Sequence, residues 1–198
     1  MVYDGIVIGL IVGMIRGGFF GALKGLSRLQ LVAGWIFPLL LLFQFGYFYL
    51  QGRNEALQQY TGISIMVIYV IGLLFVALNR RQPGFKTIFV GVFLNFLVMA
   101  LNGGTMPVSL EAASMIGLEY ADMLRTNDVV FKHAALMEHT KLPFLGDIIP
   151  VVAPYPREMV ISIGDIVMNV GIFVFLQRIM TAEKNGLDHG KGTEFQRA

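Results

Sequence analysis

Val160-Ile-Ser-Ile-Gly-Asp-Ile-Val-Met-Asn-Val-Gly-Ile-Phe-Val-Phe-Leu-Gln-Arg-Ile-Met180 carries one acid, Asp165, and reaches its first base only at Arg178. A bilayer core takes about 20 helical residues. Lipid offers no partner to an unpaired backbone group, so a stretch of this kind is expected to be a membrane-spanning helix. Four more apolar runs lie upstream, at about 2–15, 29–50, 63–78 and 87–101. Together with 160–180 they predict an all-α integral membrane protein, a single domain over 1–198 built as a bundle of about five transmembrane helices. A short helical extracytoplasmic insertion, about 103–158, is expected between spans four and five, and 181–198 forms a tail.

The composition, 56% hydrophobic and 14% charged, belongs to the membrane class. With no cysteine, disulfides, thiolate metal sites and thiol nucleophiles are excluded. Arg16, Lys24 and Arg28 follow the first run; Arg80, Arg81 and Lys86 follow the third; Arg178, Lys184, Lys191 and Arg197 follow the fifth. The positive-inside rule puts these connections in the cytoplasm, with the N-terminus out and the C-terminus in. Phe43, Phe45, Tyr47, Phe48 and Tyr49 cluster where the second span should meet the outer interface.

Glycines recur at every fourth position from Gly5 to Gly25. Small residues at that spacing let membrane helices approach closely, so Gly5, Gly9 and Gly13 are expected to form a packing face. Gly17 and Gly18 suit a break, followed by an interfacial stretch over 19–29.

Ionisable groups inside a span are costly and direct attention to function. Ser162, Asp165 and Asn169 recur at helical spacing and share a face. Asp165 is expected about 9 Å below the outer boundary by helical rise. Asn95 and Asn102 share a face of the fourth span, and Asn102 opens Asn-Gly-Gly-Thr-Met-Pro-Val108, where a helix must stop. Asn95, Asn102, Gly103, Gly104, Ser162, Asp165 and Asn169 are therefore the candidate ligand-binding set. Ser109 is a candidate cap for a helix to about Leu124, and Asp128 for a second to about Thr140. His133 and His139, six apart, fall on different helix faces and make a poor zinc pair. No P-loop, dinucleotide fingerprint, nucleophile elbow or HExxH occurs. Basic and aromatic residues do not interleave as nucleic-acid binding requires. No metal site is expected, and the sequence names no cofactor.

Three segments, Asn102-Gly-Gly-Thr-Met-Pro-Val108, Thr140-Lys-Leu-Pro-Phe-Leu-Gly-Asp-Ile-Ile-Pro150 and Ile161-Ser-Ile-Gly-Asp-Ile166, with Arg80-Arg-Gln-Pro-Gly84 and Leu94-Asn-Phe96, resemble a bacterial integral-membrane family catalogued as the domain of unknown function numbered 5317. The resemblance covers nearly the whole chain and implies the bacterial cell (inner) membrane, multi-pass, with no activity attached. Asp147 and Asp165 also give the chain a likeness to the lipoprotein signal peptidases, which would make them a catalytic dyad. The Asn-x-x-Asp-Arg element of those enzymes is absent.

Three readings stand at this level. The first is a binding or transport-associated module with a polar pocket in the outer leaflet for a cation, a lipid headgroup or a quinone-like ligand. The second is a structural subunit that binds a membrane protein partner or a second copy of itself, with no ligand site. The third is an intramembrane aspartate-dyad hydrolase. The bilayer is the partner common to all three. Reporter fusions are expected to place Lys24, Arg80 and the C-terminus in the cytoplasm and Glu119 outside. A cytoplasmic signal from Glu119 would reverse the topology.

Overall fold

The computed structural model describes residues 2–51, 55–126, 130 and 132–182. Among the described residues eight α-helices run in the order α1 (Val2–Gly17), α2 (Phe19–Ser27), α3 (Ile36–Gln51), α4 (Thr61–Leu78), α5 (Phe85–Leu101), α6 (Leu110–Ile116), α7 (Leu118–Thr126) and α8 (Ile163–Met180). Four short strands, β1 (Met106–Val108), β2 (His133–Ala135), β3 (Ile149–Val151) and β4 (Met159–Ile161), lie in the segment between α5 and α8. Among the described residues, α4 and α8 are long and apolar enough to cross a membrane. The α1–α2 pair meets the same test jointly but is bent by 119°. The break falls at Gly18, whose φ of 72° lies in the left-handed region that glycine adopts without steric cost. Apolar stretches in α3 (Ile36–Tyr47) and α5 are shorter.

The central helix is α8, packed between α1 and α5, with α4 on the far side of α5 and α3 beyond it. Both seams depend on missing side chains. A methyl group on Gly5 would strike Asn169, one on Gly9 would lie 2.6 Å from Leu176 Cδ1, and one on Gly13 would strike Met180. The expected packing face of the first helix therefore meets α8. On the other side, a methyl on Gly91 of α5 would lie 2.5 Å from the Gly164 carbonyl oxygen and 2.5 Å from the Met168 nitrogen. A methyl on Gly171 would lie 2.6 Å from Ile88 N. Those obstacles are backbone, which cannot rotate away. At its C-terminal end α8 is tied to α1 by buried Gln177, which donates to the Gly9 carbonyl at 2.8 Å and accepts from Arg16 at 3.1 Å.

Two helix starts differ from the sequence expectation. The second apolar run becomes helical at Ile36 rather than Leu29 because buried Asn79 holds Val32 from both sides. Val32 N–H donates to Asn79 Oδ1 at 2.8 Å, and Asn79 Nδ2 donates to the Val32 carbonyl at 3.0 Å. The fifth run starts as a strand, β4, and turns helical after Ser162. Asp165 is thus the third residue of α8, about 3–5 Å along its axis rather than about 9 Å.

The 103–158 insertion is mixed rather than helical. Ser109 caps α6 as expected, accepting from Ala112 N at 3.3 Å. The helix expected to reach Leu124 divides at Gly117 into α6 and α7. Asp128 lies outside the described residues, and the helix expected after it is replaced by β2, which pairs in parallel with β1 from Met106↔His133 to Val108↔Ala135. Proline at 107, 143 and 150 denies helical continuation while fitting edges and turns. Val108, Ala113, Ala121 and Leu124 form a small core within this lid. Met106 and Leu145 fasten the lid to Ile65, Val98 and Met99 of the bundle.

Glycine substitutions distinguish these seams from outward-facing positions. Gly91→Val should destabilise the fold by about 1–3 kcal/mol through overpacking against backbone, and Gly9→Leu should act in the same direction. At Gly72 a methyl meets nothing within 4 Å, so Gly72→Ala should be neutral or stabilise by up to about 1 kcal/mol. Thermal unfolding in detergent measures all three.

Candidate polar site beneath the lid

The start of α8 carries a capping box. Asp165 N–H donates to Ser162 Oγ at 3.0 Å, while Ser162 N–H donates to Asp165 Oδ2 at 3.2 Å. Buried Asn95 of α5 closes the arrangement, its Nδ2 donating to Asp165 Oδ1 at 3.0 Å and its Oδ1 accepting from the Ser162 hydroxyl at 2.8 Å. An ionised carboxylate only accepts, which fixes the orientation of the Asn95 amide. Four hydrogen bonds among three residues thus give both Asp165 oxygens a donor. The helix N-terminus adds its dipole to that support.

The other predicted residues divide. Asn169 turns toward α1 against Gly5, and its Nδ2 donates back to the Asp165 carbonyl at 2.8 Å. The Asn102 amide is committed to Lys141, donating to its carbonyl at 2.8 Å and accepting from its N–H at 2.9 Å. Gly103 and Gly104 have φ of 68° and 83°, and Gly104 lies so close to Gly62 of α4 that a methyl group would come within 2.5 Å of its Cα. Asn102, Gly103 and Lys141 instead line a separate open groove of about 270 Å³ with Pro107, Ala134 and His139.

Asp147 is brought to the first group by strand pairing. Its N–H donates to the Pro107 carbonyl at 2.8 Å and its carbonyl accepts from Ser109 N–H at 2.9 Å, which docks it beside β1. Immediately beyond, β3 pairs antiparallel with β4 at Ile149↔Ile161, next to Ser162. The Asp147 side chain is buried, with 7% of its surface exposed. One oxygen, Oδ2, lies 3.5 Å from His133 Nε2. The other, Oδ1, is buried with no hydrogen-bond partner.

Lys132, immediately before β2, lies next to His133 in the chain. Burial alone would lower the Lys132 pKa, but the fields of Tyr69, Asp147, Asp165 and Tyr120 raise it, and the net shift is upward. Among the described residues it makes no ion pair or hydrogen bond through its ammonium. His133 moves the other way. Burial lowers its pKa, with Lys132 adding to that effect, and this outweighs the pull of Asp147. The ring of Tyr120 stands edge-on to His133 at 6.4 Å between centroids, and burial pushes the Tyr120 hydroxyl up to about 12.

Sequence reasoning missed Lys132, Tyr69 and Tyr120 and weighed His133 only as a partner for His139. Two signals were present. Tyr69 places a hydroxyl in the middle of an apolar run, and Lys132-His133 interrupts an otherwise apolar segment of the insertion. Among the described residues, no three His, Asp or Glu side chains converge as a metal ion would need.

Asn95→Leu removes a partner from both Ser162 and Asp165 and should lower stability by about 1–3 kcal/mol. Asp165→Leu should cost at least as much through the added loss of the cap, and Asp165→Asn less than either. Denaturant titration in detergent checks the order. His133 predicts a pH effect. Its folded pKa lies below the unfolded value of 6.5, so the unfolded chain binds the proton first as pH falls. The stability conferred by neutral His133 is present above that value and is lost on acidification. His133→Gln should therefore flatten the fall in unfolding temperature between about pH 7 and roughly pH 5.

Residues 28–177, which hold every member of this cluster, match the model described as "Family of unknown function (DUF5317)". An "Uncharacterized protein" of Thermotoga maritima is 38% identical over 113 residues, 57% of this chain and 62% of the relative. The matched region thus spans less than two thirds of that relative's length. No solved structure matches. The chain belongs to the DUF5317 family of unknown function.

Proposed function

We propose that this is a multi-pass protein of the bacterial cell membrane whose outer lid and helix bundle enclose a binding site for a small polar ligand. Five spans, α1, α3, α4, α5 and α8, with the N-terminus out and the C-terminus in, agree with the placement of basic residues. The 17 residues of α5 cover about 25 Å, close to the roughly 30 Å of a hydrocarbon core. Leu42, Phe45 and Ile63 project from the bundle as lipid-facing side chains would.

The observation that carries the binding reading is the orphan Asp147 Oδ1, buried in the segment that docks against β1 and His133, with Lys132 forming no ion pair among the described residues. A buried charged oxygen without a donor is costly, and a native structure keeps such a group where something else satisfies it. Asp165 has a different part in this reading. Its hydrogen bonds are complete, so it starts α8 and holds α5, and it contributes field rather than contact.

That same completeness favours the structural reading for Asp165, Asn95 and Ser162, though not for Asp147 and Lys132. An aspartate dyad is the weakest fit. The two carboxyls of such a dyad share a proton across a short contact, whereas Asp165 is bonded to Asn95 and Ser162, and Asp147 faces His133.

Native mass spectrometry of the full chain, extracted gently from its membrane, tests the binding reading. The parent protein is expected to carry a non-protein mass that Asp147→Asn and Lys132→Met lose. Identical masses for parent and variants would favour the purely structural reading.

A further inference from the structure

The groove at the end of α5 is a cavity that the enclosed site does not use. Its volume, about 270 Å³, lies below the roughly 300–1,000 Å³ of clefts that take drug-sized ligands. It has room for a small ion or a single headgroup. No acid is among its lining residues, whereas His139 and Lys141 both are. A cleft whose charges share one sign gathers the opposite sign from solvent.

The frame of this groove is satisfied within the protein. Asn102 grips the Lys141 backbone from both sides, donating to its carbonyl at 2.8 Å and accepting from its N–H at 2.9 Å. The same amide nitrogen donates to the Val98 carbonyl at 2.7 Å, which ties the grip to α5. Thr140 Oγ1 accepts from Met137 N–H at 2.8 Å and keeps its own proton to give. These bonds leave the basic groups out. Among the described residues, neither the Lys141 ammonium nor the His139 ring has a hydrogen bond or an ion pair, and both residues are exposed. Three side-chain donors thus border one cavity.

An oxyanion answers such a set, and a phosphate offers more acceptor oxygens than a carboxylate does. The surroundings are apolar. Leu101 borders the groove and is 40% exposed, while Met137 and Phe144, on either side of 139–141 in the chain, are 49% and 57% exposed. A rim of this kind at the end of an apolar helix also suits a phosphate that carries acyl chains.

We propose that this groove holds a phosphate group, bound by Lys141, His139 and the Thr140 hydroxyl. That chemistry comes with a phospholipid headgroup, or as free phosphate or a small phosphate monoester. The site shares no residue with Asp147 and Lys132, so the outcome here is independent of the enclosed site proposed above.

The full chain in dodecyl maltoside, a phosphate-free detergent, provides the test, with phosphorus NMR titration and isothermal calorimetry as readouts. The soluble probes are inorganic phosphate and glycerol phosphate, and the lipid probe is dihexanoyl phosphatidylglycerol. Succinate and dihexanoylglycerol serve as comparisons without phosphate. At least one phosphate probe should bind saturably, and more weakly at high salt. Lys141→Gln should weaken it by about tenfold or more, with His139→Gln acting in the same direction and Lys141→Arg keeping most of the affinity. Binding of the soluble probes identifies a free anion, and binding confined to the lipid identifies a headgroup. Binding that Lys141→Gln and His139→Gln leave unchanged overturns the proposal, because it then belongs to other basic residues, such as Lys86 and Arg178 at the opposite end of the bundle. So does the failure of every phosphate probe to bind, or equal binding of succinate or dihexanoylglycerol. Should a variant fail to fold, the assigned His139 imidazole signals of the parent protein decide the matter. They should move as the phosphate probe is added, and signals that stay in place overturn the proposal.

Discussion

The closed set of hydrogen bonds among Asn95, Ser162 and Asp165 does three things at once. It ends β4, starts α8 and holds α8 to α5 where Gly91 and Gly164 let the two backbones touch. Each partner is needed for a physical reason. The carboxylate accepts only, the hydroxyl both donates and accepts, and the amide presents one donor and one acceptor on the same side. In an apolar bundle these groups have few other partners, so their mutual satisfaction selects one register of α5 against α8.

From that point the lid is placed. Because β4 runs directly into Ser162, the strand pairing of β3 with β4 carries Asp147 to the mouth of the bundle. Because Asp147 also docks beside β1, and β1 pairs with β2, Lys132 and His133 arrive at the same location. Separate segments of the chain thus bring Lys132, His133 and Asp147 to the end of the bundle where α8 begins. The contrast between Asp165 and Asp147 follows. One sits in a helix cap where every oxygen has a donor; the other sits in extended backbone whose N–H and carbonyl are used by neighbouring strands, and its side chain is left short of one donor.

The glycines show how packing constrains this arrangement. On α1, Gly5, Gly9 and Gly13 admit side chains of α8 and Gly17 admits its backbone at Met180, while Gly91 on α5 admits backbone alone. The first kind of contact can relax by side-chain movement, and the second cannot. At Gly91 and Gly171 the α5–α8 seam is fixed by backbone, and it is the seam that carries Asn95, Ser162 and Asp165.

Length of apolar run, absence of cysteine, alternation of basic connections and the four-residue glycine repeat are local properties, and they were legible in the chain as written. They indicated a helical membrane-type protein, a packing face on α1, the break near Gly18 and the grouping of Ser162 with Asp165 and Asn95. The amino acids by themselves did not reveal where the helices at Leu29 and Val160 would yield to other structure. Asn79 and Ser162 decide that, through partners about 47 and 67 residues away. Nor did they single out Lys132, Tyr69 or the orphan oxygen of Asp147. Three-residue strands carry too little pattern to announce their pairing or register, and without that pairing Lys132 and Asp147 are two charges in an irregular insertion. Tertiary structure alone makes them neighbours.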